Sequence, residues 1–180
     1  HDFLPLHQHR VVAIACALAL VIAARWAAAP TATLPSPLRL NVDAPTGTRL
    51  LSAVVSPDGR ELALVAEDMR TRTVRLFVRR LDAGVARMLE GTDGAAHPFW
   101  APDSQSIAFF ANRTLKRVGA AGGTVQTIAP VIGLTASGGT WGPNDTIPFA
   151  HFRSGVNMVP AAGGEPKAVT TIDAQTGEAA

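Results

Sequence analysis

The chain has 180 residues, 47% hydrophobic and 17% charged, with 16 glycines, 13 prolines and 6% aromatic residues. That length suits about one domain, and the glycine and proline content favours many turns over long helices. A formal net charge of +2 without a basic run argues against a nucleic-acid surface, and a single cysteine, Cys16, excludes an intrachain disulfide.

In chain order, residues 1–10 read as a juxtamembrane segment and 11–29 as one membrane helix. Val11 to Ala24 is an unbroken apolar run. It is short for a span, which needs about 20 residues, but Arg25 can snorkel and Trp26 favours the interface, so the helix extends through Ala27 to Ala29. A cleaved secretory signal fits the same residues: a "HQHR" lead at His7 to Arg10, a short apolar core and a small-residue site at Ala27 to Ala29. The anchor is preferred because His1 is not a natural start, and both readings export the chain beyond the apolar segment. A lipidated Cys16 is rejected because eight further apolar residues succeed it. Arg10 and Arg25 flank the segment evenly, so orientation rests on the histidine-rich lead.

Residues 30–48 form a Pro-rich stalk, extended and without helical period; within the same stretch "LRLNV", Leu38 to Val42, alternates like a strand. Then "SPDGRELALVA" at Ser56 recurs as "APDSQSIAFFA" at Ala101 and, worn, as "GPNDTIPFA" at Gly142. Trp100 and Trp141 keep the same spacing as the two "AAGG" turns at Ala120 and Ala161. Each unit predicts four strands: Leu50–Ser56, Glu61–Glu67, Thr73–Leu81 and Ala86–Gly91; His97–Ala101, Ser106–Ala111, Thr114–Ala120 and Thr124–Ala129; Gly138–Gly142, Thr146–Phe152, Val156–Ala161 and Pro166–Thr171. The Pro-Asp-Gly turns join the first two strands, Pro presetting φ and Gly accepting a positive one.

Repeats of about 40 to 50 residues with four short strands are the signature of propeller blades. The expected fold is all-β: a partial β-propeller over 49–180 of about three four-stranded blades (49–92, 96–130, 137–172), preceded by one N-terminal transmembrane helix. A ring takes about four to eight blades, so further blades or another copy are expected to close it.

These residues resemble the TolB-type, Ser-Pro-Asp-Gly-repeat propellers. More narrowly, "LFVRRLD", "PFWAPDSQSIAFFA", "LKRVGAAGGTVQTI" and "VNMVPAAGGEPKAVT" resemble the region after the membrane helix of bacterial receptor-type serine/threonine protein kinases. The resemblance implies a cytoplasmic kinase before the segment and an extracytoplasmic propeller after it. Ser104 stands in place of the turn glycine in the second unit, Asn144-Asp145 stands in place of Asp-Gly in the third, and Pro148 falls inside a strand, where it removes a ladder bond. The third blade is therefore expected to be the least regular.

Motifs for chemistry are sparse. The chain has no Gly-rich phosphate loop with a strand lysine, no His-Arg-Asp or Asp-Phe-Gly, and no Gly-x-Ser-x-Gly elbow. Ser36 and Ser56 sit beside prolines in turns. His7, His9, His97 and His151 lack zinc-like spacing, and the aspartates of the repeated turns, Asp58, Asp103 and Asp145, are read as turn formers rather than calcium ligands. Asn112 and Asn144 fit the glycosylation pattern on turns, which carries no meaning in a bacterial protein. Arg70, Arg72, Arg75, Arg79 and Arg80 read as a solvated face.

No catalytic, cofactor-binding or metal residue is therefore expected. The favoured function is a non-catalytic, membrane-anchored module for protein interaction or sensing, single-pass in the plasma membrane with its propeller outside, binding a protein or a small extracytoplasmic ligand. The alternatives are the accessory propeller of a serine peptidase and a soluble periplasmic TolB-like protein.

Overall fold

The computed structural model describes residues 41–131, 136–151 and 155–170. The juxtamembrane segment, the helix expected over 11–29 and the stalk up to residue 40 lie outside the described residues. Among those described, no helix is long and apolar enough to cross a membrane.

The first sheet is formed by β1 (Thr48–Val55), β2 (Glu61–Asp68), β3 (Val74–Arg80) and β4 (Arg87–Met88). The second comprises β5 (Ala96–Trp100), β6 (Ser106–Ala111), β7 (Thr114–Gly119) and β8 (Gln126–Pro130). The third comprises β9 (Ala136–Gly139), β10 (Thr146–His151), β11 (Val156–Pro160) and β12 (Lys167–Ala168). Each is an antiparallel meander whose strands lie in chain order.

Twelve strands stand in the expected order, with two outer ones cut short and the ninth shifted to Ala136–Gly139 from the expected Gly138–Gly142. After Met88 the chain leaves the ladder because Thr92 Oγ1 donates to Leu89 O (2.6 Å) and accepts the Leu76 amide (3.0 Å). Thr170 does the same for the Val156 amide (3.0 Å). Of "LRLNV", Asn41 and Val42 are not in a strand, and the rest lies outside the described residues.

The central strands explain why the sheets stack. In "SIAFFA" successive side chains alternate faces, and both sets are apolar. Ile107, Phe109 and Ala111 join Ala63, Val65, Leu76, Val78 and Leu89 of the first sheet. Ala108 and Phe110 join Ile147, Phe149 and Val159 of the third. A strand with no polar face must be covered twice, and the second sheet is.

Each inner strand carries one extra residue relative to its partner, between Leu50 and Ser52, between Ala96 and Phe99, and opposite Ala150/His151. Such bulges bend and twist a strand. In the second sheet the extra residue sets His97 at φ 48°. Pro148 pairs with Met158, and its carbonyl accepts the Thr140 amide (3.1 Å). An extended residue presents N and O to the same neighbour, so the ladder bond that Pro148 forgoes lies on the β9 side, where the register also slips. The second sheet carries a further shift at Leu115/Lys116, so the ladders do not single out the third sheet as the least regular.

Candidate functional site

The repeated turns gather the polar residues singled out in the sequence. Ser56 is buried; its Oγ donates to Asp58 Oδ1 (2.6 Å) and accepts the amides of Arg60 and Glu61 (3.2 and 2.9 Å). Asp58 Oδ1 also accepts the Arg60 amide (3.1 Å). The Ser56 hydroxyl and then that amide hold the Asp58 carboxyl below its ordinary value. Asp103 repeats the role, accepting the Gln105 amide (2.9 Å). Both aspartates spend Oδ1 on turn donors.

Asp145 does not occupy the matching place, and the expected equivalence of the three aspartates is corrected. The turns close by Ser56 N to Glu61 O, Ala101 N to Ser106 O and Gly142 N to Thr146 O, each 2.8 Å. The third is therefore one residue shorter. Arg60, Gln105 and Asp145 share a position, each offering its carbonyl to the start of the next turn, at Leu81, Ala120 and Ala161. To make the shorter turn, Asn144 and Asp145 both take positive φ (60° and 52°), which Asn and Asp tolerate best after glycine. The Asp145 side chain accepts from Trp141 Nε1 (3.2 Å).

Ser104 has a further role. It takes Gly59's left-handed conformation (φ 61° against 70°), a cost glycine would avoid. Its hydroxyl accepts the Asp58 amide from the neighbouring sheet (3.1 Å), and it is buried. Beside it Arg87 spans the same junction, donating to Ala120 O and Ala121 O at 2.8 Å each. Between these turns lies a polar cleft of roughly 320 Å³, lined by Asp58, Arg60, Glu61, Arg80, Arg87 and Ser104 among others. Its counterpart at the next junction, roughly 400 Å³, includes Asp103, Ser106, Arg117, Asn144 and Asp145. Many of the clefts' polar groups are engaged: Arg80 pairs with Asp82 (2.7 Å) and Arg117 donates to Gln126 (2.8 Å). The clefts offer hydrogen-bonding surface, and neither includes a histidine beside its serine to act as a base.

The five arginines do not form one face. Arg72 pairs with Glu67, which also takes Arg49; Arg75 pairs with Asp93 and Arg80 with Asp82. Arg79 is half-buried and its guanidinium reaches Asn41 O (3.5 Å). Arg70, Arg72 and Arg80 are exposed, as expected, whereas Arg75, like Arg79, is partly buried. Asn112, with Arg113, forms the two-residue turn between β6 and β7, both at positive φ (51° and 58°), as a tight hairpin requires. His97 is exposed and His151 ends β10; His7 and His9 lie outside the described residues. Among the described residues no group of three or more His, Cys, Asp or Glu is placed to hold a metal ion.

With this geometry, the chain is similar to solved structures. A putative TolB from Agrobacterium tumefaciens matches with a TM-score of 0.62 at 18% identity, over 77% of this chain and 52% of that one. A gluconolactonase from Xanthomonas campestris matches at 0.57 and 13% identity, over 71% and 50%. Regucalcin, a calcium-binding protein from Agrobacterium tumefaciens, matches at 0.50 and 18% identity, over 69% and 48%. No family model or curated protein matches. The three sheets are thus blades of a β-propeller, TolB-like in fold, and the chain spans about half the length of these structures. At such identities the likeness defines the fold and no activity.

Proposed function

We propose that the chain is a non-catalytic, membrane-anchored propeller module for extracytoplasmic protein interaction or sensing, carried by a receptor-type serine/threonine protein kinase. The observation that supports it most is the order of the parts: an unbroken apolar segment at Val11 to Ala24, a Pro-rich stretch, then three blades. The blade ends agree with a recognition role, since the turn serines and aspartates spend hydrogen bonds on one another and on backbone amides and build shape rather than a reactive centre.

Alkaline phosphatase, active only when exported, tests the placement when fused after Thr170. Active enzyme in a membrane fraction that resists carbonate extraction is expected. Inactive enzyme, or active enzyme released as a soluble protein, would contradict the anchor. Incubation with gluconolactone should give no hydrolysis above the spontaneous rate; turnover would overturn the non-catalytic reading.

A further inference from the structure

The cleft between blades two and three keeps unspent the polar groups that the first junction uses up. At the first junction Ser104 Oγ accepts the Asp58 amide (3.1 Å), and Arg87 ties the blades through the Ala120 and Ala121 carbonyls. Val78, on the face of blade one turned to blade two, is buried.

At the second junction Asp103 repeats the role of Asp58, but the turn of blade three is one residue shorter, and no described residue accepts the Asp103 amide. Arg117 stands in the place of Val78, since it pairs with Gln126 as Val78 pairs with Arg87. Its Nε is spent on Gln126 Oε1 (2.8 Å), while no described residue takes its two terminal nitrogens. The Ser106 hydroxyl and the Asn144 side-chain amide likewise have no partner among the described residues. Asp103 and Asp145 each keep Oδ2 after giving Oδ1 to the Gln105 amide and to Trp141 Nε1.

These groups line one cleft of roughly 400 Å³, within the range of small-molecule sites. Ser106 and Arg117 reach it from β6 and β7, on the face that also carries Ala108 and Phe110. Asn144 and Asp145 reach it from the shortened turn, and Pro102, Pro143 and Trp141 give it an apolar wall. Arg117 and the Asp103 amide can only donate, the two carboxylates can only accept, and Asn144 and Ser106 do both. Two carboxylates against one guanidinium disfavour an anion, and the guanidinium opposes a cation. The complement is a neutral molecule with paired groups that donate and accept at once, carried on a C–H surface. Vicinal hydroxyls on a sugar ring have that form: one hydroxyl can donate to a carboxylate while it accepts from Arg117.

We propose that this cleft, built by Asp103, Ser106, Arg117, Asn144 and Asp145, binds a neutral saccharide through vicinal hydroxyls. The missing turn residue of blade three is what leaves it open. The site supplies a ligand class for the sensing reading and rests on that reading for its role, yet the two fail separately: the phosphatase fusion reads export, and sugar binding reads the cleft.

The test titrates the methyl glycosides of glucose, galactose and mannose, which present both trans and cis vicinal hydroxyls, into the full chain held in a detergent without a sugar headgroup. At least one glycoside should receive saturation transfer from the protein and move the Asp103 amide resonance, while the Asp58 amide, already taken by Ser104, stays in place. Arg117→Gln should raise the Kd at least tenfold. Asn144→Gly should do the same while the urea midpoint is kept or raised, because glycine takes φ 60° without strain; this variant decides the matter if Arg117→Gln does not fold. Absence of binding by all three glycosides would overturn the proposal. So would binding that survives Asn144→Gly, resonance changes that spare Asp103, or tighter binding of methyl glucuronide, whose charge the two carboxylates should repel.

Discussion

The two junctions between blades use the same repeat and are held by different means. Between blades one and two the contact is tied by hydrogen bonds: Trp100 Nε1 onto Val54 O (3.0 Å), the Asp58 amide onto Ser104 Oγ, and Arg87 onto the Ala120 and Ala121 carbonyls. Between blades two and three the corresponding tryptophan, Trp141, turns back to Asp145 of its own blade. Apart from the Gly164 amide on Ile128 O (3.1 Å), the junction is filled by aromatic rings, Phe99 to Phe110 at 6.2 Å and Phe110 to Phe149 at 6.1 Å, both tilted. Gly139 is part of that packing, since a Cβ there would meet the Phe99 ring at 2.9 Å. One repeat thus yields a directional junction and a packed one, and the choice turns on small substitutions: Ser for Gly at 104, a shorter turn at 142–146, and phenylalanine at 99 and 149.

The largest effect should come from the packed junction. Phe110→Ala removes the ring that touches both neighbours and should cost about 3–5 kcal/mol, read by urea denaturation. A loss below about 1 kcal/mol would show that the rings do not hold the junction.

Next comes the tryptophan comparison. Trp100→Phe keeps an aromatic ring but leaves Val54 O without its donor, a loss of about 1–2 kcal/mol, whereas Trp141→Phe should cost less because its partner Asp145 is exposed. Equal costs would erase the distinction between the junctions.

Ser104 sharpens the comparison further. Ser104→Ala gives up the bond to Asp58 and keeps the strained φ, for about 1–2 kcal/mol. Ser104→Gly gives up the same bond but relaxes the backbone, and should be the milder change. The reverse order would mean that the left-handed backbone at 104 is not strained, and no loss in either variant would mean that the hydroxyl does not link the blades.

The smallest effect concerns pH. Hydrogen bonds to the Ser56 hydroxyl and the Arg60 amide hold Asp58 below the ordinary aspartate value of 3.8. A carboxylate with a depressed folded pKa contributes stability above its unfolded value, and that contribution is lost as pH falls through the folded one. Amide exchange at Glu61 should therefore accelerate below about pH 4 relative to the intrinsic rate. In Asp58→Asn the acid dependence should vanish; its persistence would assign it elsewhere. Asp58 is solvent-exposed, so the change is screened and modest.

Much of the fold was legible because its signals are local. Pro57, Asp58 and Gly59 dictate a turn, and the apolar run after it dictates a strand covered on both sides. Trp100 and Trp141, 41 residues apart, set the register. The junctions were less legible because their bonds join residues more than 30 positions apart, and nothing in "APDSQS" says that Ser104 reaches Asp58. Ser104 reads as a worn glycine until the neighbouring turn is beside it. Asp145 is misplaced by sequence for a related reason: counting from Gly142 sets Asn144 opposite Asp58 and Asp145 opposite Gly59, and only the closing hydrogen bond shows that one residue is missing and that Asp145 stands level with Arg60. The arginines alternate with apolar residues along β3, which a solvated face would also give, and their separate partners, Glu67, Asp93 and Asp82, come from other strands and loops.

The account's central claim is that blades one and two form a tied pair while blade three is packed on one side and open on the other. Native-state hydrogen exchange tests it most directly, because each blade's central strand reports its own opening free energy. The account predicts that amides of β2 and β6 exchange only through global unfolding, while those of β10 and β11 exchange through a sub-global opening at lower free energy. A single opening free energy shared by β2, β6 and β10, or a first blade that opens before the third, would contradict it.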